Sequence, residues 1–283
     1  MCGGSTACFA RTELGEQTKL LPALVRDLLV AAGDPKHRRD ALIGLLDAYK
    51  SAGYLAHDLG FTGLPALAIE RMRAAAEKLD DPVLLADVAW RRAHLLSGTN
   101  RARQYDLAVD IADRAPAERP DIRGMSNLTA ALAAAAQGDG ERAEAHLAEA
   151  GGIAETIDTD DEPWTRTDFG RTNVNIWRVA IGVELGYGAK VAETAAKIRP
   201  EAMKRDRQAA FWIDYGRGML AERKTHERGL SALLRAEKIA PQKVRNNPFV
   251  REAIAGVLAS TRRDVAGLEL RGFAWRIGIA PNG

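Results

Sequence analysis

The sequence predicts an all-α fold, a helical-repeat α-solenoid, from three observations. Apolar residues recur at helical spacing along nearly the whole chain, and no stretch shows the strict alternation of a strand. Cap and stop residues punctuate that pattern at regular intervals: Asp34-Pro35, Gly60, Asp81-Pro82, Gly98-Thr99-Asn100, Gly138-Asp139-Gly140. The composition is 46% hydrophobic but only 6% aromatic, so a core of Ala, Leu and Val is expected. Such a core suits closely packed helices better than sheets, whose strands favour β-branched and aromatic residues.

Taken in order, residues 1–16 lack periodicity and are expected to form a flexible N-terminus. The first helix spans about Gln17 to Ala32, with Leu20, Leu21, Leu24, Val25, Leu28 and Leu29 at helical spacing and Pro22 in its first turns. Asp34-Pro35 then caps and opens a long helix to about Leu59, stopped by Gly60. A helix from about Gly63 to Leu79 carries Leu67, Ala68, Met72, Ala75 and Ala76. Asp81-Pro82 repeats the cap signal and starts a helix through Val88, Ala89, Ala93 and Leu96. Further helices are read near 101–114, 120–137, 140–156, 172–186, 188–198, 204–222, 226–239 and 248–261, with a short capping helix about 264–277. The solenoid as a whole is expected over 17–280.

A repeat leaves small residues where adjacent helices approach closely, and a tetratricopeptide unit recurs every 34 residues or so. Its second helix has small residues seven apart with Pro five later, a spacing met by Gly229, Ala236 and Pro241. Ala68 and Ala75 share the first interval, although Asp80 holds the Pro position. The turn glycines Gly60, Gly98 and Gly138 recur at roughly 40-residue steps, and Gly186 follows after a longer one. The extra length is the polar and aromatic loop that starts at Asp158. Long loops in compact helical folds are uncommon and are usually functional or disordered.

Composition excludes several classes. The 40 basic and 38 acidic residues leave a formal charge of +2, without the basic excess of a nucleic-acid surface. Two cysteines, Cys2 and Cys8, supply neither a disulfide framework nor a structural zinc site. No apolar run approaches the roughly 18 residues of a membrane span, and the N-terminus lacks a secretory pattern, so a cytoplasmic location is expected. Removal of Met1 would expose Cys2 as a nucleophile, but that chemistry needs a β-rich scaffold that this chain does not predict. The Asp158, Asp160, Asp161, Glu162 cluster lacks the Gly and late Glu of a calcium loop. The five histidines show no metal-ligand spacing, and Cys2-Gly3-Gly4 is no phosphate loop. Asn127-Leu128-Thr129 is formally a glycosylation sequon, without meaning in a cytoplasmic helix. No cofactor is expected, and no nucleophile–base pair is visible that would make the chain an enzyme.

The candidate site residues are therefore those of a binding groove. Trp164, Phe169, Arg171, Asn173 and Trp177 stand in and just after the loop; Asn173 and Trp177 share a helix face. There an amide can hold a peptide backbone while an indole supplies apolar area. The alternative is that Trp164 and Phe169 plug a gap and Asn173 caps a helix. Trp90 with His94, and Phe211 with Tyr215, are likewise four apart, either on a groove face or in ordinary core. Asn127 lies in an apolar run and needs partners if buried. Ligand-binding residues are thus expected at Trp90, His94, Asn127, Asn173, Trp177, Arg178 and Tyr215. The ending is expected to dock Leu268, Leu270, Phe273 and Trp275 as an amphipathic cap, with its arginines on the wet face.

Three stretches carry a family resemblance: Trp90-Arg91-Arg92-Ala93-His94-Leu95, Asp168 to Val174 with Arg178-Val179, and Pro248-Phe249-Val250-Arg251 through Leu270-Arg271-Gly272-Phe273-Ala274-Trp275-Arg276. From about Leu20 to Ile279 the chain resembles the C-terminal tetratricopeptide-like region of actinobacterial transcriptional regulators of the xenobiotic-response-element type. The family's loop has Pro where Arg171 stands and His where Trp177 stands. Such regulators begin with a helix-turn-helix domain, and none is read here, so no direct DNA binding is expected from this chain alone. The resemblance implies a sensory module that takes a peptide or small signalling molecule. The alternative is a constitutive scaffold for a protein partner, and a homodimer is compatible with either. No membrane partner is expected.

Overall fold

The structure, a computed structural model, describes residues 14–96, 100–157, 167–260 and 267–279. Among the described residues every regular element is helical, with fourteen α-helices and three short 3-10 turns. The residues of the loop at Asp158, including Trp164, and both cysteines lie outside the described set. The chain divides into two compact units, one comprising Glu13–His57 and Phe61–Val174, the other Asp58–Gly60 and Asn175–Gly283. They are called the N-terminal and C-terminal units below.

In the N-terminal unit α1 (Leu14–Ala31) starts earlier than its periodicity indicates, so Pro22 lies in its interior and not in its first turns. A stripe of Ala41, Leu42, Leu45 and Leu46 buries one side of α2 (Arg38–Asp58). It meets Ile69, Met72 and Ala76 of α3 (Leu64–Leu79) and Val88 of α4 (Pro82–Leu95) in one core. Asp80, in the left-handed region at φ 51°, ends α3; a short polar side chain tolerates that conformation better than a bulky one. Asp81 then caps α4 by accepting from the Val83 and Leu84 amides, with Pro82 in the first turn. Asn100 and Asp139 repeat the device for α5 (Arg101–Arg114) and α7 (Gly140–Thr156), accepting from Arg103 N and Arg142 N at 3.0 Å each. Between these lies α6 (Pro120–Ala135), buried on nearly every side. Ala93, Ala108 and Ala130 meet where α4, α5 and α6 converge. Phe169, just before α8 (Arg171–Glu184), packs on Gly124 of α6 at a place a methyl group would occupy. The boundary between the units falls within α8.

In the C-terminal unit the rest of α8 is followed by a 3-10 turn and the five-residue α9 (Val191–Ala195), where the sequence suggests one longer helix. Ile176 and Val179 of α8 pack with Val191, and with Phe211 and Met219 of α10 (Arg205–Leu220). The main neighbour of α10 is α11 (His226–Ile239). Their backbones nearly touch: a methyl on Gly216 would lie 3.1 Å from the Gly229 carbonyl oxygen, and one on Gly229 3.0 Å from that of Gly216. This is the close approach that a small residue at Gly229 suggests. Pro241 opens a short α12 (Pro241–Arg245), before α13 (Pro248–Ser260) and α14 (Leu268–Arg276).

The capping helix departs from expectation. Leu270 and Phe273 are buried, but Leu268 and Trp275 are 89% and 72% exposed, so the apolar stripe is narrower than the sequence suggests. Arg276 does not lie free on a wet face. It clamps Glu237 of α11, with Nη2 to Oε2 at 2.8 Å and Nε to Oε1 at 2.9 Å. Among the described residues no helix is long and apolar enough to cross a membrane.

Candidate functional site

The seven expected site residues are divided between the two units. Trp90, His94, Asn127 and Asn173 belong to the N-terminal unit, and Trp177, Arg178 and Tyr215 to the C-terminal unit. Trp90 is buried, its ring stacked on His94 with centroids 5.5 Å apart and planes at 23°. His94 also faces the Tyr54 ring at 5.9 Å. Asn173 is buried, its amide pointing to Met125 Sδ at 3.6 Å. Trp177 is buried on α8 beneath the Arg207 guanidinium, 5.8 Å from the ring centroid. Arg178 is half-buried on the same helix. These placements put Trp90, Asn173 and Trp177 in the interior, where they have little surface to offer a ligand.

Around Trp90 the N-terminal unit builds a buried ionic network that the sequence reading did not find. Arg91 and Asp87, one turn apart on α4, are 3% and 4% exposed and form a two-pronged pair: Nε to Oδ2 at 2.9 Å, Nη2 to Oδ1 at 3.0 Å. Arg91 also donates to the Tyr54 hydroxyl at 3.3 Å and lies 4.7 Å from the Trp90 ring centroid. Arg119 binds Asp121 through two bonds of 2.7 and 2.8 Å and comes within 3.9 Å of Asp87. Thr167 donates to Asp121 Oδ2 at 2.8 Å and ties the segment before α8 to α6. Burial pushes the Asp87 carboxyl up, but the Arg91 guanidinium and its hydrogen bonds outweigh this and hold it below the usual carboxylate range. A desolvated pair endures only when its remaining donors and acceptors find partners, and here the Tyr54 hydroxyl and Arg119 supply some. Beside the pair, the indole N–H of Trp90 is buried with no hydrogen-bond partner among the described residues. The network is a means of holding helices together, with its charges already spent on one another.

The C-terminal unit assembles similar residue types in the open. A cleft of about 360 Å³ lies between α10 and α11, lined by Trp212, Tyr215, Glu227, Arg228, Ser231 and Arg235. The Arg235 guanidinium sits 4.1 Å from the Trp212 ring centroid, and Arg228 Nη2 donates to the Tyr215 hydroxyl at 2.7 Å. Trp212 meets Tyr215 edge-on at 5.9 Å, so two aromatic walls stand at a right angle. Behind them, buried Phe211 stacks on Tyr215 at 6.1 Å. Arg235 also pairs with Glu201 at 2.6 Å, but both side chains are at least half exposed. Each guanidinium carries five donors and uses few of them here. The cleft therefore presents planar apolar walls and two cationic hydrogen-bonding edges, suited to a carboxylate beside an apolar or planar group. Of the expected site residues, Tyr215 lines it. Its partners Trp212, Arg228 and Arg235 were missed because Gly229 and Ala236 mark where α11 approaches α10 closely, but not which side chains border the cleft beside that contact. Among the described residues no group of three His, Cys, Asp or Glu could hold a metal ion.

Comparison with protein-family models, with characterised proteins and with solved structures gives no match to this chain.

Proposed function

We propose that the chain is a regulatory binding module whose C-terminal unit takes an acidic peptide or small carboxylate in the cleft between α10 and α11. The cleft carries this reading: Trp and Arg are the residue types that dominate binding energy, and here they are stacked and partly solvated, with Trp212 backed by the core. The small-residue helix contacts at Ala93, Ala108 and Ala130, and at Gly216 and Gly229, support a tetratricopeptide-like helical-repeat solenoid as the scaffold. The resemblance to the sensory region of xenobiotic-response-element regulators supports a signalling role for such binding.

The test is thermal unfolding with a short acidic peptide that carries one aromatic side chain. A ligand that binds only the folded protein stabilises it by about 2.7 kcal/mol at about 100 times Kd. Arg235→Ala, at a half-exposed position, removes that gain while leaving the unliganded melt nearly unchanged; Trp212→Ala also removes it, but from a lower unliganded melt, because the indole packs on the core as well. A gain of the same size in both variants overturns the assignment of the cleft. A second reading, a constitutive scaffold for a protein partner, draws on exposed Leu268 and Trp275, seven residues apart on α14. It predicts a stable protein complex that Trp275→Ala weakens and acidic peptides do not affect.

A further inference from the structure

The N-terminal unit contains a hydrogen-bonded chain of three side chains from three helices that neither the ionic network nor the cleft uses. Asn127 of α6 donates from Nδ2 to the Arg123 carbonyl oxygen at 3.0 Å. A carbonyl oxygen only accepts, so this bond fixes the amide and turns Oδ1 toward His146 of α7, 2.8 Å from Nδ1. Nδ1 must therefore carry a proton, which leaves the lone pair of the neutral imidazole on Nε2. That lone pair faces the Tyr105 hydroxyl of α5 at 3.1 Å. The order is acidic hydroxyl, base, and a group that orients the base, the arrangement by which weak nucleophiles are activated. Asn127 is buried, whereas Tyr105 and His146 are half-buried and not sealed off.

We propose that Tyr105 is a histidine-activated nucleophile that accepts an acyl group from a neutral, activated carboxylic ester. In the step, Tyr105 Oη attacks the ester carbonyl carbon and its proton passes to His146 Nε2. The tetrahedral intermediate then collapses with cleavage of the bond to the leaving oxygen. That oxygen takes the proton from Nε2 and departs as the alcohol or phenol, leaving O-acyl-Tyr105 and a neutral imidazole. No further reactant is needed.

The surroundings favour this chemistry and the uncharged donor. Burial, with Arg142 nearby, lowers the His146 pKa despite the opposing pull of Asp113 and Glu149, so the imidazole is free base at neutral pH. The charged groups around the pair are Asp113 on α5, Arg142 and Glu149 on α7, and Arg123 on α6, which is engaged with Glu149 at 2.6 Å. The two carboxylates disfavour a phosphorylated or carboxylated donor. Arg142, 5.6 Å from the Tyr105 ring centroid, favours negative charge developing on the phenol.

The experiment uses the full chain with p-nitrophenyl acetate, following nitrophenolate release and locating the acetyl group by peptide mass spectrometry. One acetyl per chain is expected, on Tyr105, and Tyr105→Phe abolishes it. The labelling rate should rise with pH through the His146 midpoint, below the ordinary histidine value of about 6.5, and level off by neutrality. His146→Gln should slow it about a hundredfold. Asn127→Asp, which sets a carboxylate against Nδ1–H, should move the midpoint up by about one pH unit. Three results overturn the proposal: acetyl on lysines only, an unchanged rate in His146→Gln, or a rate that climbs without a plateau toward the ionisation of an unassisted phenol near about 10. Should His146→Gln fail to fold, the pH profile of the native chain and the shift in Asn127→Asp decide the matter.

Discussion

Both units bring tryptophan, tyrosine, arginine and a carboxylate together, and they use them in opposite ways. Around Trp90 the arginines are sunk and clamped: Arg91 and Asp87 are almost without solvent and share two hydrogen bonds. Around Trp212 they are spread on ring faces: Arg235 is half exposed, and so is its partner Glu201. Removing one member of a buried pair strands a charge, whereas an exposed pair is screened and contributes little. The same side chains therefore act as rivets in one unit and as available recognition groups in the other. What separates the two outcomes is the depth at which the helix face lies.

The contrast breaks most readily at Asp87. Asp87→Ala leaves Arg91 buried without its counter-charge and should cost about 3–5 kcal/mol, read as a shift of the urea midpoint. A loss below about 1 kcal/mol would mean that water reaches Arg91, and the distinction between the units would fail. Acid provides a second approach. Both Asp87 and His146 have folded pKa values below their ordinary ones, so each stabilises the fold above its unfolded value and loses that contribution as pH falls through the folded one. Stability of the N-terminal unit should therefore fall in two acid steps, the first below about pH 6.5 and the second below about 3.9. His146→Gln should remove the first and Asp87→Ala the second.

Gly124→Ala tests how the segment before α8 is anchored. The added methyl collides with the Phe169 ring, and overpacking of this kind should cost about 1–3 kcal/mol with no effect on the cleft. The smallest expected effect sharpens the comparison most. Glu201→Ala should change stability by less than about 1 kcal/mol, because its pair with Arg235 is exposed. It should nevertheless tighten acidic-peptide binding in a fluorescence titration, by freeing the Arg235 donors. Weaker binding would show that Glu201 orients the guanidinium and does not compete for it.

The helices and their ends were legible because they are local. Asp81-Pro82, Asn100 and Asp139 cap the helices they precede, and Gly60, Gly138 and Gly186 take the positive φ that stops a helix. The site residues were less legible, because helical spacing says which residues share a face and not what covers it. Trp90 and Trp177 read as groove residues and are interior. Asp87 and Arg91 are one turn apart and open to a spacing argument, but Tyr54, which accepts from Arg91, lies 37 residues away in sequence. Tyr105 and His146 lie 41 residues apart in sequence, which is why no nucleophile–base pair was visible there. Phe211 and Tyr215 were paired correctly by spacing, but Trp212, one residue on, lines the cleft beside Tyr215.

The near-contact of Gly216 and Gly229 has a consequence for tuning. These positions carry no side chain, so the separation of the cleft's two walls is set by main chain against main chain. They act as a spacer with a single setting. Alanine at Gly216 or Gly229 would pry α10 from α11 and widen the gap between Tyr215 and Arg228 without altering any lining group. A protein engineer would thus have an affinity dial at two positions beside the lining residues Tyr215 and Arg228 but not among them.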